Sequence, residues 1–227
     1  MPRPASRHRP YADRARAGAV LAELLADHLT GQPDLLVLGL PRGGVPVAAP
    51  VARRLHAPLD VLLVRKVGVP GQPELAMGAV AAVGDRTAVV GNEPVLRRRG
   101  MTPDEFAAAC DAQLELLRRQ AARYRGDREP LRTAGRPVVV VDDGLATGAT
   151  MRAAIDVLRA AGAGPLTVAV PIGAPDSCRA LASAVDALVC PWQPADFGSV
   201  SQGYRDFSQT GEATVIGVLA QAAEARW

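Results

Sequence analysis

The sequence predicts a doubly wound α/β fold with a mainly parallel sheet. Short apolar, often β-branched runs alternate with segments of helical apolar spacing along most of the chain. Glycine-rich, acidic or basic turns follow directly on several of those runs, where open α/β sheets bind their ligands. Size agrees: 227 residues, 48% hydrophobic and 22% charged, are enough for one α/β unit with a full core.

The elements follow in order. Tyr11–Leu29 carries Ala15, Ala19, Leu21, Leu24, Leu25 and Leu29 at helical spacing, and Gly31 and Pro33 end it. Leu35–Leu40 is an apolar strand running into Pro41-Arg42-Gly43-Gly44 and a helix over about Val45–Leu55. Leu59–Val64 is a second strand, ending in Arg65-Lys66. Val67–Leu75, rich in Gly and Pro, reads as a loop. Gly78–Val83 and Thr87–Val90 are strand candidates around a turn at Gly84-Asp85. Thr102-Pro103-Asp104-Glu105 is a capping box with Pro at the first helical position, opening a helix to about Tyr124. After a polar linker, Arg125–Arg136, come a strand at Val138 and a helix over Met151–Ala161. Leu166–Val170 is a further strand, Asp176–Ser183 a helix, Ala187–Val189 a short strand and Glu212–Ala225 a final helix.

Composition excludes several classes. No segment reaches the roughly 18 continuous apolar residues of a membrane helix, and no signal-peptide core follows the basic N-terminus, so the cytoplasm is expected. Cys110, Cys178 and Cys190 are widely spaced, without a C-x-x-C pair, and suit neither a disulfide framework nor a zinc site. A net charge of +3 with dispersed arginines argues against nucleic acid, and Arg97-Arg98-Arg99 reads as a solvated turn. The 26 basic residues include a single lysine, Lys66.

Val138–Met151, VVVVDDGLATGATM, carries the most chemistry. Four valines make a buried strand, Asp142 and Asp143 follow it, and Gly144-Leu145-Ala146-Thr147-Gly148-Ala149-Thr150 leads into a helix. Glycines let backbone N–H groups converge on an anion, hydroxyls add donors, and the helix start adds positive potential, so this loop suits a phosphate. The acids would repel that phosphate and need sugar hydroxyls, a divalent cation, or both. No Lys follows Gly148 as a P-loop requires, and no third glycine completes a dinucleotide fingerprint.

This segment closely resembles the signature of type I phosphoribosyltransferases, which bind 5-phosphoribosyl 1-pyrophosphate (PRPP) with magnesium. The resemblance implies a single such domain: a core over about 35–190, a helical insertion over about 91–136, and a small hood from about 1–30 and 191–227. It implies that Gly144–Thr150 hold the 5-phosphate while Asp142 and Asp143 hold ribose hydroxyls, with Mg2+ kept nearby by PRPP and water. Pro41–Gly44 resembles the family's pyrophosphate loop, with Arg42, Gly43 and Gly44 as contacts and a cis peptide expected near Arg42–Gly43. Arg65-Lys66 resembles a basic pair that contacts pyrophosphate, sometimes across a homodimer interface, and Val67–Asp85 lies where the family carries a mobile lid.

The acceptor is less legible. Ala146 stands where 6-oxopurine enzymes carry an acid, which argues against hypoxanthine and guanine. The loop is similar to that of adenine phosphoribosyltransferases, but Pro41–Gly44 is not. Trp192, Phe197, Tyr204 and Phe207, four of eight aromatics, offer a surface for a planar base or simply pack an irregular segment. The expected activity is Mg-dependent transfer of ribose 5-phosphate to a nitrogenous acceptor with release of pyrophosphate. The alternative is a non-catalytic PRPP sensor. PRPP synthetase normally needs two such domains and a longer chain.

Overall fold

The structure, a computed structural model, describes residues 10–83, 86–129 and 131–225. Residues 1–9, part of the expected hood, and the Gly84-Asp85 turn lie outside them.

Parallel pairing builds the centre of the sheet. Strands β1 (Leu36–Gly39), β2 (Leu59–Val69), β3 (Gln72–Val83), β4 (Arg86–Gly91), β5 (Val138–Val141), β6 (Leu166–Ala169) and β7 (Ala187–Val189) lie in the order β4-β3-β2-β1-β5-β6-β7. β2, β1, β5, β6 and β7 run parallel, and β3 and β4 add an antiparallel ribbon at one edge. β1 and β5 are fully buried, as continuous apolar runs in parallel sheets should be. Helices α1 (Arg14–Leu29), α2 (Gly44–Leu55), α4 (Pro103–Arg125) and α7 (Glu212–Glu224) contribute to the core on one face. α5 (Ala149–Ala160) and α6 (Pro175–Ala182) contribute to the other.

Local signals explain most boundaries. Asp13 caps α1 by accepting the Arg16 N–H, and Thr102 and Glu105 close the expected capping box on α4. α5 starts at Ala149, two residues ahead of expectation, because Gly148 takes a φ of +73° and turns the chain straight into the helix.

Two expectations fail. Val67–Leu75 is not a loop: β2 continues to Val69, β3 begins at Gln72, and Pro70-Gly71 turns between them. Pro at the first central position and Gly71 at φ +76° suit a type II turn, so the residues read as loop formers make one tight hairpin. The expected lid segment is therefore largely ladder-bonded strand. Arg97-Arg98-Arg99 is not a simple turn either; it is the last turn of α3 (Glu93–Arg99), ended by Gly100 at φ +63°.

Candidate active site

β1 and β5 are neighbours in register, Gly39 opposite Val141, so the turns that follow them leave the sheet side by side. The first turn contains a cis peptide between Pro41 and Arg42, within the neighbourhood expected. Gly44 N–H donates to the Leu40 carbonyl at 2.9 Å and fixes the turn, whereas the N–H groups of Arg42 and Gly43 find no partner among the described residues. The turns touch: a Cβ on Gly43 would lie 1.9 Å from Asp143 Oδ2, and one on Gly44 would lie 2.6 Å from the Val141 carbonyl. Only glycine permits this approach. Arg42 is exposed at the mouth.

After β5, Asp142 Oδ1 accepts the Asp143 N–H at 2.8 Å. Leu145 plugs the loop into the core, with its N–H on the Ile172 carbonyl and its carbonyl taking the Ala174 N–H. Leu145 is thus an anchor with no main-chain group left to offer. The Ala146 carbonyl accepts the Ser177 hydroxyl at 2.6 Å, and Gly144 sits so close to Val200 that a Cβ would meet its Cγ1 at 2.4 Å. Pinned at these points, the loop leaves the N–H groups of Ala146, Thr147 and Gly148 without partners among the described residues. Those of Thr150 and Met151 have no intrahelical acceptor in the first turn of α5. Thr147, Ala149 and Thr150 are exposed, and the Thr147 hydroxyl accepts the Ala149 N–H at 3.4 Å. Converging N–H groups at a helix start suit a phosphate.

The acids are electrostatically strained. Burial and the neighbouring Asp143 push Asp142 well above the usual carboxylate range. Burial also raises Asp143, but Arg14 opposes it: Nε and Nη2 each lie 2.9 Å from Oδ2. Among the described residues no group of three His, Cys, Asp or Glu side chains could hold a metal ion. So sparse a donor set suits magnesium brought in on phosphate and water, and not a protein-built cage.

Arg65 and Lys66 depart from expectation. The β3 pairing carries β2 well beyond Gly39, so the two residues are mid-strand and not at its end. Strand alternation then sends them to opposite faces. Lys66 lines a cavity of about 470 Å³ with Ala79, Val90, Ala149, Arg152 and Asp156, beside the start of α5. Arg65, paired with Val80, faces the α4 side.

The aromatics form the wall above the acids. Tyr11, Ala17, Ile172 and Tyr204 are buried together, with Trp192, Phe197, Val200 and Phe207 packed against them. Trp192 meets Tyr11 edge-on, and Tyr204 lies 5.0 Å from Phe207, centroid to centroid. Tyr204 and Phe207 are thus engaged within the protein: the Tyr204 hydroxyl donates to the Asp143 carbonyl, and Arg14 stacks on Phe207 at 4.0 Å.

A phosphoribosyl transferase domain model matches residues 11–201, a span that contains both turns, the acid pair and most of the wall. The chain belongs to this family. "Putative phosphoribosyl transferase Rv0571c" of Mycobacterium tuberculosis is 49% identical over 212 residues, covering 93% of this chain and 47% of that protein. The chain therefore spans about half the length of that curated relative. Adenine phosphoribosyltransferase of M. tuberculosis is 33% identical over 160 residues, 70% of this chain and 56% of that one. The crystal structure of TT1426 from Thermus thermophilus superposes with a TM-score of 0.80 at 40% identity, covering 94% of this chain and 99% of that one.

In this phosphoribosyl transferase domain, sequence reasoning missed Arg14, Tyr11 and Val200 as site-forming residues. Arg14 was one arginine among many on a helix, and nothing in its spacing marks it. Cys178 and Cys190 are twelve positions apart in the sequence. The fold sets their thiols against one another beside Gly173, where a Cβ would lie 2.6 and 3.2 Å from the two sulfurs. That contact and burial push the Cys190 thiol up.

Proposed function

We propose that this chain transfers ribose 5-phosphate from PRPP to a nitrogenous acceptor, most simply a nucleobase other than hypoxanthine or guanine, and releases pyrophosphate. The observation that supports this most is the contact of Gly43 with the Asp143 carboxylate. It brings a turn with free N–H groups within atomic contact of an acid pair whose loop suits a phosphate. One compact edge thereby offers groups for pyrophosphate, sugar hydroxyls and 5-phosphate, the three parts of PRPP.

Each part has a role in the chemistry. The C1–O bond to pyrophosphate breaks as the acceptor nitrogen bonds to C1, its electron pair leaves with the pyrophosphate, and the acceptor's N–H proton passes to the released pyrophosphate or to water. Arg42 and the N–H groups of Arg42 and Gly43 would stabilise the leaving charge. Bound magnesium would supply further neutralisation of the pyrophosphate. Asp142 and Asp143 would orient the ribose, while Thr147, Gly148, Ala149 and Thr150 hold the 5-phosphate. Positioning contributes most, and no covalent nucleophile is required. Lys66 would act on phosphate oxygens from the start of α5. Arg65, on the other face, could reach pyrophosphate only from a second copy of the chain.

The test is to mix the protein with PRPP, magnesium and a panel of nucleobases and amines, and to follow pyrophosphate release. Release with one acceptor, abolished in Asp142→Asn/Asp143→Asn, is expected. PRPP binding without turnover on any acceptor makes the protein a sensor, and absence of PRPP binding overturns the reading.

A further inference from the structure

We propose that Arg14 is a positioning residue for the sugar site, holding Asp143 in place between the aromatic wall and the loop after β5. The inference rests on the transferase reading above.

Arg14 opens α1, directly after its capping residue Asp13. Its guanidinium ties α1 to two segments distant in sequence, the loop after β5 and the C-terminal stretch at Phe207-Ser208. Nε and Nη2 reach Asp143 Oδ2 at 2.9 Å each, Nη1 donates to the Ser208 carbonyl at 2.7 Å, and the plane lies 4.0 Å from the Phe207 ring centroid. On the other side, a Cβ on Gly43 would sit 1.9 Å from Asp143 Oδ2 and 3.2 Å from Arg14 Nε. The Asp143 carbonyl takes the Tyr204 hydroxyl. Asp143 is therefore held through side chain and main chain alike. Among the described residues, the Asp142 carboxylate accepts only the neighbouring N–H, which leaves it the acid with more unused acceptor capacity.

A planar, permanently charged fork can serve the carboxylate, the carbonyl and the ring at once; a lysine cannot. Arg14 also supplies positive charge to two crowded carboxylates. Of the other groups here, the Tyr204 hydroxyl lies in the field of both acids, Tyr11 in that of Tyr204, and Asp206 in that of Arg14. Burial and mutual repulsion favour protonation of the pair, and Arg14 opposes it. Without that charge the acids take up protons at higher pH and lose their capacity to accept from sugar hydroxyls.

The experiment is calorimetric titration of the full chain with magnesium PRPP from about pH 5.5 to 8.5, for wild type, Arg14→Gln and Arg14→Lys, with thermal unfolding to verify folding. Arg14→Gln should weaken binding about tenfold at neutral pH and move the acid limb of affinity to higher pH. Arg14→Lys, with the charge but not the fork, should keep the wild-type acid limb and recover only part of the affinity. If Arg14→Gln does not fold, Arg14→Lys carries the test through that same combination. Folded variants with wild-type affinity, or weaker binding by Arg14→Gln with an unmoved acid limb, overturn the inference and leave the transferase reading standing. A wild-type protein that does not bind magnesium PRPP overturns both.

Discussion

The Tyr204 hydroxyl donates to the main-chain carbonyl of Asp143 over 2.5 Å, linking the C-terminal segment to the loop after β5 across 61 positions. Burial and the adjacent Asp143 hold this hydroxyl far above the ordinary tyrosine range, so it stays a donor at every working pH. Tyr204→Phe leaves the carbonyl unsatisfied in a part-buried site. Urea denaturation should show a loss of about 1–3 kcal/mol, and PRPP affinity should fall with it.

Gly43→Ala places a methyl group where the Asp143 carboxylate stands. The atoms it meets are the Asp143 carboxylate, which Arg14 holds by two contacts of 2.9 Å, so the side chain cannot swing away cheaply. The expected outcome is a loss of about 1–3 kcal/mol in stability, together with at least about tenfold weaker PRPP binding. A folded Gly43→Ala protein with wild-type affinity would separate this turn from the ligand site.

Asp142 has its folded-state pKa raised by burial and by Asp143. A raised carboxylate favours the folded state at pH below its unfolded value, and that contribution is lost as pH rises through the folded value. Neutral pH is therefore where the native acid costs stability. Asp142→Asn should raise the unfolding temperature near pH 7.5 by roughly 2–4 °C, with the difference closing towards pH 4. Thermal scans across that range decide it, and a constant difference at all pH values would refute the assignment.

Arg125 and Asp60 form an ion pair remote from this edge, with Nε 3.0 Å from both carboxylate oxygens and side chains only 8% and 6% exposed. Asp60→Ala strands the guanidinium and leaves the Val61 N–H without its 2.7 Å acceptor. Chemical denaturation should report a loss of about 3–5 kcal/mol.

Much of this was legible from local pattern. Apolar runs, the Thr102 capping box and the Gly-Leu-Ala-Thr-Gly loop each state their geometry within a few residues, and the sheet, the α4 start and the glycine turn into α5 followed. The hairpin at Pro70-Gly71 was misread because the same two residues serve a loose loop or a tight turn, and the flanking strands decide between them.

Taken alone, the sequence determined the α/β class, the acid pair at the end of its valine strand and a small-residue loop of the kind that suits a phosphate. Backbone periodicity and turn chemistry are local, and a single chain displays them directly. Tertiary structure decided the rest: Arg65 and Lys66 diverge because β3 extends β2 past the sheet edge, and Arg14 meets Asp143 across 129 positions. Such meetings depend on strand order and on how the termini fold back over the sheet, and no local spacing encodes either.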